Sequence, residues 1–171
     1  MKRSSHIASL GVFLSLAMIA GYIETLIPIN FGIPGMKLGL ANMVTVILMY
    51  LFSPSEAFLI LVIRILLSGF LFGNGMSFLY SLSGGILSFI VMYLFFRTGK
   101  ARMISLSVIG AISHNAGQLF CACIFVSNMD ILFYMPILAV SGIITGLITG
   151  SLSAAVHRRL KKGRFSDKED R

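Results

Sequence analysis

Five stretches of the chain, residues 7–23, 38–55, 65–96, 103–129 and 131–156, contain no Asp, Glu, Lys or Arg. Several are long enough to cross a hydrocarbon core about 30 Å thick, which takes about 20 apolar residues in an α-helix. The longest, 65–96, holds Gly73-Asn74-Gly75, a turn cluster that separates the end of one helix from the start of the next. The pattern predicts six helices, at about 7–22, 38–52, 55–72, 76–96, 103–126 and 131–156.

Composition agrees with that pattern. Of 171 residues, 57% are apolar and 12% charged, about half the charged share of a soluble domain, so a soluble globular protein is excluded and one membrane domain is expected. A net charge of +8 would suit nucleic acid if it covered one face, but the cations fall elsewhere, and no nucleic-acid partner is expected. Lys2 and Arg3 precede the first helix, Arg97, Lys100 and Arg102 lie between the fourth and fifth, and Arg158, Arg159, Lys161, Lys162, Arg164, Lys168 and Arg171 follow the sixth. Basic loops stay on the cytoplasmic side. With an even helix count, both termini and the loop near residue 100 fall there together. The chain thus reads as an all-α, multi-pass cell-membrane protein: a short tail at 1–6, a six-helix membrane domain at 7–156, and a basic tail at 157–171 expected to be disordered. The first helix resembles a secretory leader in its basic start, but no convincing small-x-small cleavage site follows it, and it is read as retained. Cys121 and Cys123 lie two apart in an apolar helix and read as core thiols rather than metal ligands or a disulfide pair.

Lys37 and Arg64 are the two cations outside those clusters. Lys37 belongs to the segment after helix one, which runs through Glu24, Pro28 and Asn30 into Gly32-Ile33-Pro34-Gly35-Met36-Lys37-Leu38-Gly39-Leu40-Ala41-Asn42. Pro and Gly break the helix there, and the next one offers unpaired N–H groups beside an ammonium, a combination suited to an anion. Asn42 lies just over a turn deeper, and Glu24 either gates the loop with Gly35 or pairs with Lys37. The plainer alternative is an interfacial turn with Lys37 reaching the headgroups. Arg64 sits near the middle of helix three, where a guanidinium costs about 2.5–3.5 kcal/mol on insertion scales. The carboxylates outside the tail, Glu24, Glu56 and Asp130, all belong near helix ends. Glu56 is about 12 Å away along the axis by helical rise. Arg64 therefore invites an anionic ligand, unless backbone carbonyls satisfy it.

Helix five carries Ser113-His114-Asn115-Ala116-Gly117-Gln118. His114 and Gln118 are i and i+4, on a face shared with Gly110. Lipid cannot satisfy such groups, so they line a cavity or form a network joining helices. Helix six repeats Gly142, Gly146, Gly150 and Ala154 at fourfold spacing beside Ser141, Thr145, Thr149 and Ser153. A second helix can approach closely there, either within the bundle or from a partner. Helix four has a small-residue side at Ser77, Ser81, Gly84, Gly85 and Ser88, and helix one has weaker small pairs such as Ser4 with Ala8 and Gly11 with Ser15.

Enzymatic chemistry is not expected. The chain lacks a G-x-x-x-x-G-K-[ST] phosphate loop, and it has no Asp-rich cluster to hold Mg²⁺ against a diphosphate. His114 has no carboxylate near it in sequence, and no cofactor or metal site is visible.

The Gly32–Asn42 run, Arg64 with Ser68-Gly69, Ser81-Leu82-Ser83-Gly84-Gly85, His114-Asn115-Ala116-Gly117-Gln118 and Gly142-Ile143-Ile144-Thr145-Gly146 together resemble the Gx transporter family, whose members carry the description heptaprenyl diphosphate synthase component I. That family is in turn similar to the S components of energy-coupling factor transporters. The resemblance implies six helices, cytoplasmic termini and a ligand site near the outer face, capped by the loop after helix one. It also implies that the coupling transmembrane subunit and the ATPases are separate chains. The expectation is a subunit that captures a small anionic or amphipathic nutrient or cofactor precursor, with Lys37, Asn42, Arg64, His114, Asn115 and Gln118 binding it. The alternative is a membrane accessory protein of isoprenoid, quinone or flavin-linked redox metabolism.

Overall fold

A backbone surrounded by lipid has no water to bond, so each apolar segment must close its N–H and C=O groups within itself, as a helix does. The computed structural model describes residues 3–26, 39–72 and 75–169. They form α1 (Arg3–Leu26), α2 (Leu40–Leu51), α3 (Pro54–Phe72), α4 (Gly75–Arg97), α5 (Met103–Val126), a 3₁₀ turn (Met129–Tyr134) and α6 (Met135–Glu169), with no strand among the described residues. Gly35, Lys37 and the Gly73-Asn74 part of the expected turn lie outside them.

The helices fall where the hydropathy pattern puts them, with three differences. Helix α1 runs on to Leu26 instead of ending near residue 22. Nothing in Ile23-Glu24-Thr25-Leu26 stops a helix, whereas Pro28 restricts the residue before it. Helix α6 begins at Met135 after the 3₁₀ turn, and Pro136 sits in its first turn, where a missing N–H costs nothing. At its other end α6 continues to Glu169, through a segment expected to be a disordered tail. Leu, Lys and Arg are good helix formers, and cations favour the C-terminal end of the helix dipole.

The third difference concerns span number. Among the described residues, five helices are long and apolar enough to cross a membrane: Ser4–Glu24, Pro54–Leu71, Gly75–Arg97, Met103–Val126 and Met129–Lys161. Helix α2 has 12 residues, about 18 Å at helical rise, and is short of the full thickness. Its surroundings explain its composition. Ala41 and the run Val44 to Met49 are buried, and α2 packs against α1, α3, α5 and α6. A helix enclosed on all sides is apolar all round, whatever its length.

The outside of the bundle is apolar, and polar side chains are buried beside its apolar core, the arrangement of a protein solvated by lipid. Phe70, Leu66, Ile90, Phe120, Phe133 and Ile148 are among many large apolar side chains that are exposed, while Thr45, Ser88, Ser107, Asn115, Gln118, Ser141, Thr149 and Ser153 are buried. Small residues let backbones meet, and hydroxyls then bond across the gap. A Cβ on Gly117 would lie 2.8 Å from the Ser83 carbonyl oxygen, and the Ser83 hydroxyl donates to the Gly117 carbonyl at 2.9 Å. The Ser88 hydroxyl donates to the Gly110 carbonyl at 2.9 Å, and Ser107 and Thr149 share a hydrogen bond of 2.9 Å between α5 and α6. Helix α5 is thereby clamped between α4 and α6.

At one end of the bundle, Tyr50 donates to the Ala101 carbonyl at 2.7 Å and meets Phe96 and His157 edge to face. Here too the His6 ring engages the Glu56 carboxylate, and Ser53 starts α3 by accepting from the Glu56 N–H at 3.3 Å.

Candidate functional site

Toward the opposite end, where α1 and α3 finish and α2 and α4 begin, the six helices enclose a cavity of about 100 Å³. A cavity of about 150 Å³ takes up benzene, so the space suits a few heavy atoms or several waters. Its walls are Gly21, Tyr22 and Glu24 from α1, then Ala41 and Asn42 from α2 with Gly39 just before it. From α3 come Leu61, Arg64, Ile65, Ser68 and Gly69, and from α4 Ser77, Phe78, Ser81 and Gly85. Ala111, His114 and Asn115 of α5 and Thr145 of α6 close it.

Four of the six expected binding residues therefore meet at one place: Asn42, Arg64, His114 and Asn115. Each is delivered by a close approach. The Asn42 amide reaches across to α5, where a Cβ on Gly110 would lie 2.9 Å from its Nδ2. The His114 ring fits because Gly84 has no side chain, and a Cβ there would come within 3.1 Å of Cε1. Asn115 is buried and donates from Nδ2 to the Leu138 carbonyl at 2.9 Å, so part of its bonding capacity ties α5 to α6.

Gln118 is not among the wall residues. It is buried against α4, with Cγ 2.9 Å from where a Gly84 Cβ would be. It shares His114's face, as the i, i+4 spacing requires, but α4 crosses that face and covers the turn at 118. Lys37 and Gly35, expected to bind and to gate, lie outside the described residues.

Arg64 projects toward α1, where a Cβ on Gly21 would sit 3.6 Å from Nη1. Its Nε is sealed from solvent and has no hydrogen-bond partner among the described residues. Glu56 does not compensate it, being held at the other end of α3 by His6 and by the Ser53 hydroxyl, which donates at 2.7 Å. The carboxylate that interacts electrostatically with the guanidinium is Glu24. Because α1 extends past residue 22, Glu24 lies in its last turn rather than in a loop, and Oε1 accepts from the Leu40 N–H at 2.6 Å. Gly39 precedes α2 in a left-handed conformation, φ 74°, with no side chain to cap the helix. Glu24 supplies the anion that this N-terminus attracts.

Five wall residues were not among the expected binding residues: Tyr22, Ser68, Ser77, Ser81 and Thr145. A signal for four of them was present, since Ser68 stands beside Gly69 in the Arg64 helix motif, Ser77 and Ser81 belong to the small-residue side of helix four, and Thr145 flanks the glycine repeat of helix six. That repeat packs inside the bundle. Cβ atoms on Gly142, Gly146 and Gly150 would lie 3.1, 2.5 and 2.8 Å from the Cα atoms of Ile112, Val108 and Ile104 on α5, and Ala154 packs against the core.

Among the described residues the site offers one cation, one carboxylate, an imidazole, two amides and several hydroxyls, a set that binds polar groups by charge and hydrogen bonding. Among the described residues no three His, Cys, Asp or Glu side chains gather as metal ligands.

No curated protein and no solved structure matches the chain. The family model for heptaprenyl diphosphate synthase component I matches residues 13–156, which include every described residue of the cavity wall, and the chain belongs to that family.

Proposed function

We propose that this protein is the substrate-binding membrane subunit of an importer of the energy-coupling factor type, capturing a small polar molecule from outside. The observation that carries this reading is the cavity lined by residues of all six helices, Arg64 and Glu24 among them. A guanidinium inside a membrane domain is costly and marks a ligand or ion pathway more often than a structural contact. By the distribution of basic residues, the termini and the loop around Lys100 face the cytoplasm, and the cavity then opens toward the outer half. Residues 27–38, with Gly35 and Lys37, lie outside the described residues. Arg64 binds the solute's charge, while Asn42, His114 and Asn115 orient it. Transport requires that affinity differ between outward-open and released states, and the ATPases that drive the change belong to partner chains, since this chain has no phosphate loop.

The family's description favours a second reading, a membrane component that accompanies a heptaprenyl diphosphate synthase. It would act as an accessory, because the chain has no Asp-rich Mg²⁺ cluster of its own. Affinity purification of the tagged protein from its own membranes in mild detergent, followed by mass spectrometry of bound proteins, separates the two. Recovery of a coupling transmembrane subunit with two ATPases is expected. Recovery of a prenyl synthase without them would overturn the importer reading.

A further inference from the structure

The anion site suggested by the start of α2 is already filled by the chain itself. Glu24 Oε1 accepts from the Leu40 N–H at 2.6 Å and interacts with Arg64 across the cavity. Yet the arrangement leaves a donor over, because the buried Arg64 Nε has no acceptor among the described residues. One carboxylate thus serves two positive elements on two helices and does not exhaust them.

We propose that the solute carries a single carboxylate, and that it binds by taking the place of Glu24 between the Leu40 N–H and Arg64. This deepens the small-molecule-binding reading and rests on it. Charge balance selects the class. A solute anion added beside Glu24 would meet like charge in a site of low dielectric, whereas exchanging one carboxylate for another keeps the neutralisation of Arg64 and the cap on α2. A dianionic phosphate group would carry more negative charge than Arg64, the cation among the described wall residues, neutralises. Geometry allows the exchange, since Glu24 lies in the last turn of α1, where carbonyls have no partners within the helix and the side chain can leave without breaking it. Glu24 is also a wall residue of the cavity, so its departure enlarges the space. Glu24 is then a positioning residue, an internal competitor that holds the empty site together and sets the affinity of what replaces it.

The test is chemical rescue of the full-length protein in detergent. Glu24→Ala is expected to lower the thermal midpoint by several degrees, and sodium acetate to restore most of that loss, while sodium chloride at equal ionic strength does not. Wild-type protein should respond to acetate only weakly, because acetate must displace the tethered Glu24 carboxylate, and Glu24→Ala combined with Arg64→Gln should not respond. Glu24→Ser, which also vacates the carboxylate's place, gives the same comparison if the alanine variant does not fold. No acetate-specific rise in either single variant would overturn the proposal, as would a larger rise with inorganic phosphate. Such a failure would leave the importer reading standing, because partner capture decides that separately.

Discussion

Glu24 in the last turn of α1 and Arg64 in the middle of α3 line one cavity and interact electrostatically. Each explains the other's position. A cation in a membrane domain needs a counter-charge, and a carboxylate directed inward at the start of α2 neutralises the cation and caps the helix.

Removing one member of that pair should cost more than removing both. Glu24→Ala leaves the guanidinium uncompensated and is expected to destabilise the protein by about 3 kcal/mol, the scale for breaking a buried pair. Glu24→Ala with Arg64→Met should recover part of the loss. A double-mutant cycle of thermal unfolding in detergent measures the coupling, and additive effects would mean that the two side chains do not act together.

The glycines of α6 should tolerate no side chain. Gly146→Leu places atoms where a Cβ alone would be 2.5 Å from the Val108 Cα, and should separate α5 from α6 with a loss of about 1–3 kcal/mol or more. Gly11→Ala on α1 is the control. A Cβ there meets nothing within 4 Å, so the change should be neutral or stabilising by up to about 1 kcal/mol. Equal effects at the two positions would contradict the packing described.

Asn115 and His114 are adjacent in sequence but should respond differently. Asn115→Ala removes the bond to the Leu138 carbonyl and should lower stability by about 0.6 kcal/mol, the average for such bonds between membrane helices. His114→Ala should sharply reduce the amount of small molecule that copurifies with the protein, read by mass spectrometry of the extract. A variant pair that loses stability but not bound solute would make both residues structural.

Gln118→Ala is expected to follow the stability pattern, since Gln118 packs against Gly84 away from the cavity wall. Retention of bound solute with a lowered midpoint is the expected result. Loss of solute at unchanged stability would place Gln118 in the site after all.

Much of this was legible in the chain because its causes are local. Charge-free runs of bilayer length specify helices, Gly and Pro specify where they stop, and an Arg near the middle of an otherwise apolar helix is conspicuous without any knowledge of its neighbours. Helical rise also gave the depth of Arg64, His114 and Asn115 along their axes, enough to expect that they share a level.

Rotation of each helix about its axis, and the identity of its neighbours, were not legible, because packing across the bundle decides them. Periodicity placed Gln118 on the face of His114, but only the crossing of α4 at Gly84 shows that this turn is covered. The spacing of Gly142, Gly146 and Gly150 announced a close contact, and the fold assigns it to α5. The apolar 38–52 segment looked like another span, whereas its burial among four helices shows why it is apolar at 12 residues. The amino-acid sequence alone determined that this is a helical membrane protein with a cation where lipid would not tolerate one. Only the tertiary structure decided that Glu24 answers it, because attraction between charges depends on distance in space and not on separation along the chain.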